Sequence, residues 1–266
     1  MKYGFHLSIA GKLGMAGALE EAQSLGLSAL QIFAKSPRSW KTRSLRPGEV
    51  EGFRSRKENL GNLPGVIHAS YLVNLAAEGE LWEKSVFSLA DDLAKAQTLG
   101  LEYVVVHPGS GSPKRARAGA LRARELAGLG RNGPWLLLEN TAGGGEKLGA
   151  RLSTLAELVE DSPLGVCFDT CHAFAAGYTL GEALEELERS VGLERVPVIH
   201  LNDSVGQRGS QLDHHANLLE GQMGEELKNL LLDPRLQDKV FILETPRGPR
   251  EDNHNLRVLR SWLEAK

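Results

Sequence analysis

The stretch GVCFDTCHAFAAGY, residues 165–178, decides the fold. Gly165, Val166, Cys167 and Phe168 read as a buried strand, yet the run ends in Asp169, with His172 three positions on. A run this short and continuously apolar suits a parallel strand covered on both faces. The same pattern recurs on either side. Val66-Ile67 leads into His68, Val105-Val106 into His107, Leu137-Leu138 into Glu139, Val198-Ile199 into His200, and Ile242-Leu243 into Glu244. Strands are expected over residues 3–9, 29–34, 65–69, 103–107, 135–140, 165–169, 196–202 and 240–245. Amphipathic segments lie between them, over 13–25, 79–99 and 180–191, and Gly26 and Gly100 stand where helices should stop. Eight strand–helix units without a dividing linker predict one α/β domain over residues 1–266, a (β/α)8 or TIM barrel. The alternative, a doubly wound open sheet, needs a phosphate loop. GSGSP after His107 and AGGGE after Thr141 match neither a Walker nor a dinucleotide fingerprint.

The composition, 41% hydrophobic and 24% charged, is that of a globular protein. The net charge of −3 shows no basic field of the kind that advertises a nucleic-acid partner. No apolar run reaches the length of a membrane span or a signal-peptide core, so the expected location is cytoplasmic, with no membrane partner. Cys167 and Cys171 are expected as two reduced thiols.

In a parallel barrel the six strand ends share one rim, where barrel enzymes keep their chemistry. One histidine at a strand end is ordinary. Six converging acids and imidazoles are costly to desolvate unless cations occupy the middle. Imidazole with carboxylate suits zinc or manganese better than calcium or magnesium. The segment GSQLDHHANLLEG, residues 209–221, adds Asp213 and His215, which face one side of an extended backbone while His214 faces the other. The candidate ligands are His68, His107, Glu139, Asp169, His172, His200, Asp213, His215 and Glu244. These nine exceed what one ion takes, which favours a cluster of two or three. A single ion with four ligands and outer partners is the other reading.

These residues resemble the endonuclease IV family, zinc-dependent apurinic/apyrimidinic endonucleases of base excision repair. The resemblance runs from FHLSIAGKLGMAGAL to FILETP and is carried by FAKSPRSW, HASYLVNLA, VVHPGS, LLLENTAGGG, VCFDTCHAFAAGY, HLNDSVGQRGSQLDHH and LETP. It implies a TIM barrel with three Zn2+ per chain, Mn2+ serving in part of the cluster, at the C-terminal ends of the strands. His68, His107 and Glu139 would hold the first ion. Glu139, Asp169, His200 and Glu244 would hold the second, and His172, Asp213 and His215 the third. Glu139 would be the catalytic bridge, with Cys167 and Cys171 as packing. The implied reaction is hydrolysis of the phosphodiester bond 5′ to an abasic site in double-stranded DNA by a monomer, leaving a 3′-hydroxyl and a 5′-deoxyribose phosphate. Arg38, Tyr71 and Leu72 match the DNA-binding positions that enter the base stack; an abasic sugar has no stacking to lose. Three Zn2+ against four carboxylates leave about +2 at the mouth and bring the whole chain from −3 to about +3, and Lys35, Arg38, Lys41 and Arg43 are candidate phosphate contacts. The segment ANLLEGQMG after His215 is looser than the family's glycine-rich continuation, and two single positions also depart from the family pattern. His214 stands where arginine is usual, and Ala69 where an acid is common. The rival functions are a single-metal sugar isomerase or epimerase on a related barrel and a catalytically silent module for damaged DNA.

Overall fold

Alternation within each short strand, more than its apolar content, determines what reaches the centre of this molecule. A computed structural model of the chain describes residues 1–10, 13–130 and 132–264. Eight parallel strands, β1 (Lys2–Leu7), β2 (Ala29–Phe33), β3 (Gly65–His68), β4 (Tyr103–Val106), β5 (Trp135–Glu139), β6 (Gly165–Asp169), β7 (Val198–His200) and β10 (Val240–Leu243), close into a barrel in the order β1-β10-β7-β6-β5-β4-β3-β2. The intervening β8 (Asp203–Ser204) and β9 (His215–Ala216) form a small antiparallel ribbon outside it. Around the barrel lie α1 (Gly14–Leu25), α2 (Pro47–Asn59), α3 (Gly79–Leu99), α4 (Pro113–Leu126), α5 (Leu152–Val159), α6 (Thr170–Ala176), α7 (Leu180–Ser190), α8 (Glu225–Leu232) and α9 (Pro249–Glu264). This is the expected (β/α)8 TIM barrel.

The pleat sends alternate side chains to opposite faces. Ala29, Val66, Val105, Leu137, Cys167, Val198, Val240 and Ile242 fill the inside of the barrel. Their neighbours Leu30, Ile67, Val104, Leu138, Phe168, Ile199 and Phe241 face outward and pack with the helices. Two residues beyond an inward apolar position the next inward side chain is polar: Gln31, His68, His107, Glu139, Asp169, His200 and Glu244. In β1 the same step runs from Gly4 to His6. Only glycine fits at the first of these, because a Cβ there would fall 1.9 Å from the Ala29 carbonyl oxygen. The barrel is therefore dry in its lower layers and polar at its C-terminal rim.

Helices α1 and α3 end at Gly26 and Gly100, whose φ values of 66° and 69° are left-handed. Several strands are shorter than expected. β1 stops at Leu7, and β7 covers only Val198–His200. Glu244 lies just past β10, because its backbone N–H turns from the ladder to Asn202 Oδ1 at 2.7 Å. The glycine-rich GSGSP turn has a packing role: Gly109 has φ 98°, and a Cβ there would meet the Asn74 side chain at 2.1 Å.

Candidate metal centre

Asp169 and His172 occupy the mouth of β6 because one organises the other. Asp169 caps α6, its Oδ1 accepting the His172 backbone N–H at 2.7 Å, and the first turn of that helix carries the imidazole over the rim. The β8–β9 ribbon performs the same service for the long loop, pairing Ser204 with His215 and returning His215 to the mouth.

The donors converge in three groups whose ligand atoms lie within 4.8 Å of one another: His68, His107 and Glu139; Glu139, Asp169, His200 and Glu244; and Asp169, His172 and His215. Glu139 belongs to two of them because its oxygens divide. Oε2 lies 3.1 Å from His68 Nε2 and 3.0 Å from His107 Nε2, while Oε1 lies 2.9 Å from His200 Nδ1. Asp169 joins the second group to the third, with Oδ2 3.8 Å from His200 Nδ1 and 3.7 Å from His215 Nε2. Asp213 stands on the outer side of the third group, its side chain 46% exposed, with Oδ1 3.0 Å from His172 Nε2 and 3.5 Å from His215 Nε2. The nine side chains expected at the rim are thus brought together. Asp169 takes a more central place in the third group than its pairing with the second alone implied.

The histidine tautomers follow from what the other ring nitrogen touches. A carbonyl oxygen only accepts, so a ring nitrogen facing one must carry the proton. His68 Nδ1 donates to Ala69 O at 2.8 Å, His172 Nδ1 to Asn140 O at 2.9 Å and His215 Nδ1 to Glu244 O at 3.1 Å. Each leaves Nε2 with a lone pair turned toward carboxylates. His200 is reversed: Nε2 donates to Gln31 Oε1 at 2.8 Å, and Nδ1 faces Glu139. Lone pairs opposed to carboxylate oxygens repel unless a proton or a cation lies between them. In the metal-free chain protons serve. Burial pulls His172 down, but Asp169, Asp213 and Glu139 outweigh it and hold the imidazole well above its ordinary range. Burial likewise opposes, and Cys167, Glu244 and Glu139 together raise, His200. Against burial, the charge on His200 and its neighbours holds Glu139 and Glu244 well below the carboxylate range. His215 Nε2 is buried and has no hydrogen-bond partner among the described residues. Fixed tautomers, an orphaned ring nitrogen and a mixed imidazole–carboxylate set fit divalent metal of the zinc class.

Gln31, fully buried, escaped a reading based on strand ends. Its amide oxygen accepts from His200, and its amide nitrogen donates to Glu244 Oε1 at 2.5 Å and to His6 Nδ1 at 2.9 Å. A methionine of similar length can replace neither the oxygen nor the two N–H donors. Gln31→Met is therefore expected to weaken metal retention about 10- to 100-fold. Competition with a chromophoric chelator measures this, and unchanged retention would remove Gln31 from the site. Asn202 acts similarly, donating to Asp169 Oδ2 at 2.8 Å while its oxygen holds the Glu244 backbone.

Above the cluster opens a cavity of about 490 Å3 walled by Tyr71, His107, His214, Glu244 and Arg247, among others. A larger recess of about 1130 Å3 at the opposite end of the barrel is lined by Tyr103, Trp135 and Leu164 and holds none of the converging groups. Tyr71 is 62% exposed at the mouth, its ring edge-on to Phe33 at 5.4 Å. Burial and nearby acids push its hydroxyl pKa up against the charge of Arg38, and its backbone N–H donates to Pro37 O at 3.1 Å, one residue before Arg38. Leu72 is half-buried next to it, and Arg38 is exposed. His214 is exposed at the wall of the cavity above the cluster, and its carbonyl accepts the Cys171 thiol at 3.8 Å. Both cysteines are free and buried, and burial pushes both thiols up to about 12, unlike zinc-binding thiolates. Two candidate phosphate contacts are corrected. Lys35 is buried, with Nζ 3.0 Å from both Asp91 Oδ2 and Asp92 Oδ1, and Arg43 is engaged by Glu49 at 2.5 and 2.7 Å. Arg38 and Lys41 remain exposed.

Residues 19–265 match the family model described as xylose isomerase-like TIM barrel. Endonuclease 4 of Thermus thermophilus is 69% identical over 267 residues, covering 99% of this chain and 98% of the relative. Probable endonuclease 4 of Halothermothrix orenii is 41% identical over 280 residues, covering 98% and 99%. Among solved structures, an endonuclease IV from Thermus thermophilus superposes with a TM-score of 0.97 at 68% identity, over 100% of both chains. A D-tagatose 3-epimerase-like protein superposes at 0.76 with 23% identity, a likeness of fold alone, over 100% of this chain and 98% of the other. Among the described residues no helix is long and apolar enough to cross a membrane. Likeness along the whole length, together with a rim of converging imidazoles and carboxylates, places the chain in the endonuclease IV family of metal-dependent DNA-repair endonucleases.

Proposed function

We propose that this chain, acting as a cytoplasmic monomer, hydrolyses the phosphodiester bond 5′ to an abasic site in duplex DNA. The products are a 3′-hydroxyl and a 5′-deoxyribose phosphate, and three Zn2+ ions are the cofactor. The observation that carries this reading is the division of the Glu139 carboxylate between His68 with His107 on one side and His200 on the other, beside a third group at His172 and His215. His68, His107 and Glu139 would hold one ion, Glu139, Asp169, His200 and Glu244 a second, and His172, Asp213 and His215 a third. When bound, zinc brings water to hydroxide near pH 7 and neutralises the charge of the phosphoryl transition state.

The protein supplies placement. Carbonyls of Ala69, Asn140 and Glu244 and the amide of Gln31 fix which ring nitrogen His68, His172, His215 and His200 offer, so little reorganisation is left for those ligands in the loaded site. Arg38 meets backbone phosphate from the rim. Tyr71 and Leu72 fill the space in the stack that an abasic nucleotide leaves, which favours it over an intact one. Exposed Tyr71 suits that part, since an aromatic face in water gains a stacking partner on binding.

A single-metal sugar isomerase on the same barrel would employ one group and leave the others idle. The discriminating assay is nicking of a duplex oligonucleotide that carries a tetrahydrofuran abasic analogue, beside its undamaged parent. Zinc-dependent incision at the analogue and not in the parent is expected. No incision by the zinc-loaded chain would refute the proposal.

A further inference from the structure

The segment between β2 and α2 carries Arg38 and has almost no backbone structure of its own. Among the described residues its internal hydrogen bonds include Ser39 N–H to Ser36 O at 3.3 Å and Lys41 N–H to Ser39 Oγ at 3.1 Å. Side chains fix it instead, and they converge on two successive turns of α3. Near the start of the segment, Lys35 Nζ donates to Ser88 O at 2.7 Å and to Asp91 Oδ2 at 3.0 Å, and lies 3.0 Å from Asp92 Oδ1. Farther along, the Thr42 hydroxyl donates to the same Asp91 Oδ2 at 2.7 Å. Lys95 closes the cluster, donating to Asp91 Oδ2 at 2.8 Å and to Thr42 Oγ1. In the middle, Pro37 O accepts the Ser70 hydroxyl at 2.7 Å and the Tyr71 N–H at 3.1 Å, tying this segment to the one with Tyr71 and Leu72.

Lys35, Asp92 and Lys95 are all buried. Desolvating such ions costs several kcal/mol each by general estimate, and apolar residues of similar volume would stabilise the helix–loop contact at least as well. A buried ion cluster is thus poor evidence for stability. What it supplies here is one geometry for a loop with no ladder to define it.

We propose that Asp91 and Asp92 are positioning residues for DNA: by gripping Lys35 and Thr42 on either side of Arg38, they fix the backbone that carries that guanidinium, on the segment Pro37 ties to Tyr71. This rests on the reading of Arg38 as a DNA contact. Asp91 is the better residue to change, because Lys35 keeps Asp92 when it is lost.

The test is a cycle of Asp91→Ala and Arg38→Ala, with KM and kcat measured on the tetrahydrofuran duplex and bound zinc measured alongside. Asp91→Ala is expected to raise KM about tenfold, since small misplacements of binding groups are costly, with kcat and zinc content unchanged. Asp91→Asn, which keeps an oxygen for Thr42, should recover most of the loss. In the Arg38→Ala background the same change should add less than about twofold, because residues acting through one another are not additive. Tenfold effects in both backgrounds, or a parallel fall in kcat and zinc content, would overturn the proposal. If Arg38→Ala alone leaves KM unchanged, the DNA reading of Arg38 fails and the proposal with it. If Arg38→Ala raises KM and Asp91→Ala does not, this proposal alone fails. Should Asp91→Ala not fold, Lys35→Met breaks the same grip and must give the same split.

Discussion

Glu139→Gln leaves a folded barrel that incises abasic duplex more than about 100-fold more slowly than the parent, a larger loss than outer-shell changes at metal sites cause. The substitution is nearly isosteric at a fully buried position at the end of β5, so packing is preserved. The loss comes from the second oxygen. Oε2 serves His68 and His107 while Oε1 serves His200, and an amide offers one oxygen and one nitrogen in their place. Whichever way the amide turns, one group receives a donor where it needs an acceptor. Steady-state nicking with circular dichroism on the same preparation checks this. Parental rates in a folded variant would show that Glu139 does not join the two groups.

Zinc should raise the melting temperature, and the increment should grow with pH. In the metal-free chain His172 and His200 are raised above 6.5. The stability they contribute is complete below that value and is lost as pH rises through their folded pKa values. Glu139 and Glu244 are lowered below 4.5, so their contribution is present above that value and lost as pH falls through the depressed values. Zinc takes the ring lone pairs that protons otherwise hold, so protons compete with it. As pH rises above 6.5 the metal-free chain loses this contribution while metal binding strengthens. Excess zinc at about 1,000 times its dissociation constant adds about 4 kcal/mol, or roughly 10 °C for a chain of this size. Calorimetry with and without chelator at rising pH measures the increment. One that shrank toward alkaline pH would contradict the coordination described here.

The strand runs and the glycine stops exposed the barrel, and the acids and imidazoles at strand ends exposed most of the rim. Gln31 shows why the rest was hidden. It sits inside β2 with Ile32 and Phe33 still to come, so a search for polar residues at the close of an apolar run passes over it. The same holds for His6 in β1. Counting two residues up from each inward apolar position finds both, because rim height is set by strand register rather than by where the ladder ends. Lys35 failed for the opposite reason. A lysine in a polar loop looks solvated, and only the tertiary fold brings Asp91 and Asp92 of α3 against it. The central position of Asp169 also needed three dimensions, since it depends on β9 folding back to deliver His215.

Anomalous diffraction from zinc-loaded crystals probes the coordination directly. The arrangement predicts three peaks within one rim: one against His68 and His107, one between Glu139 and Glu244 beside His200, and one against His172 and His215. A single peak, with His215 Nε2 or Glu244 left free of metal, would contradict it.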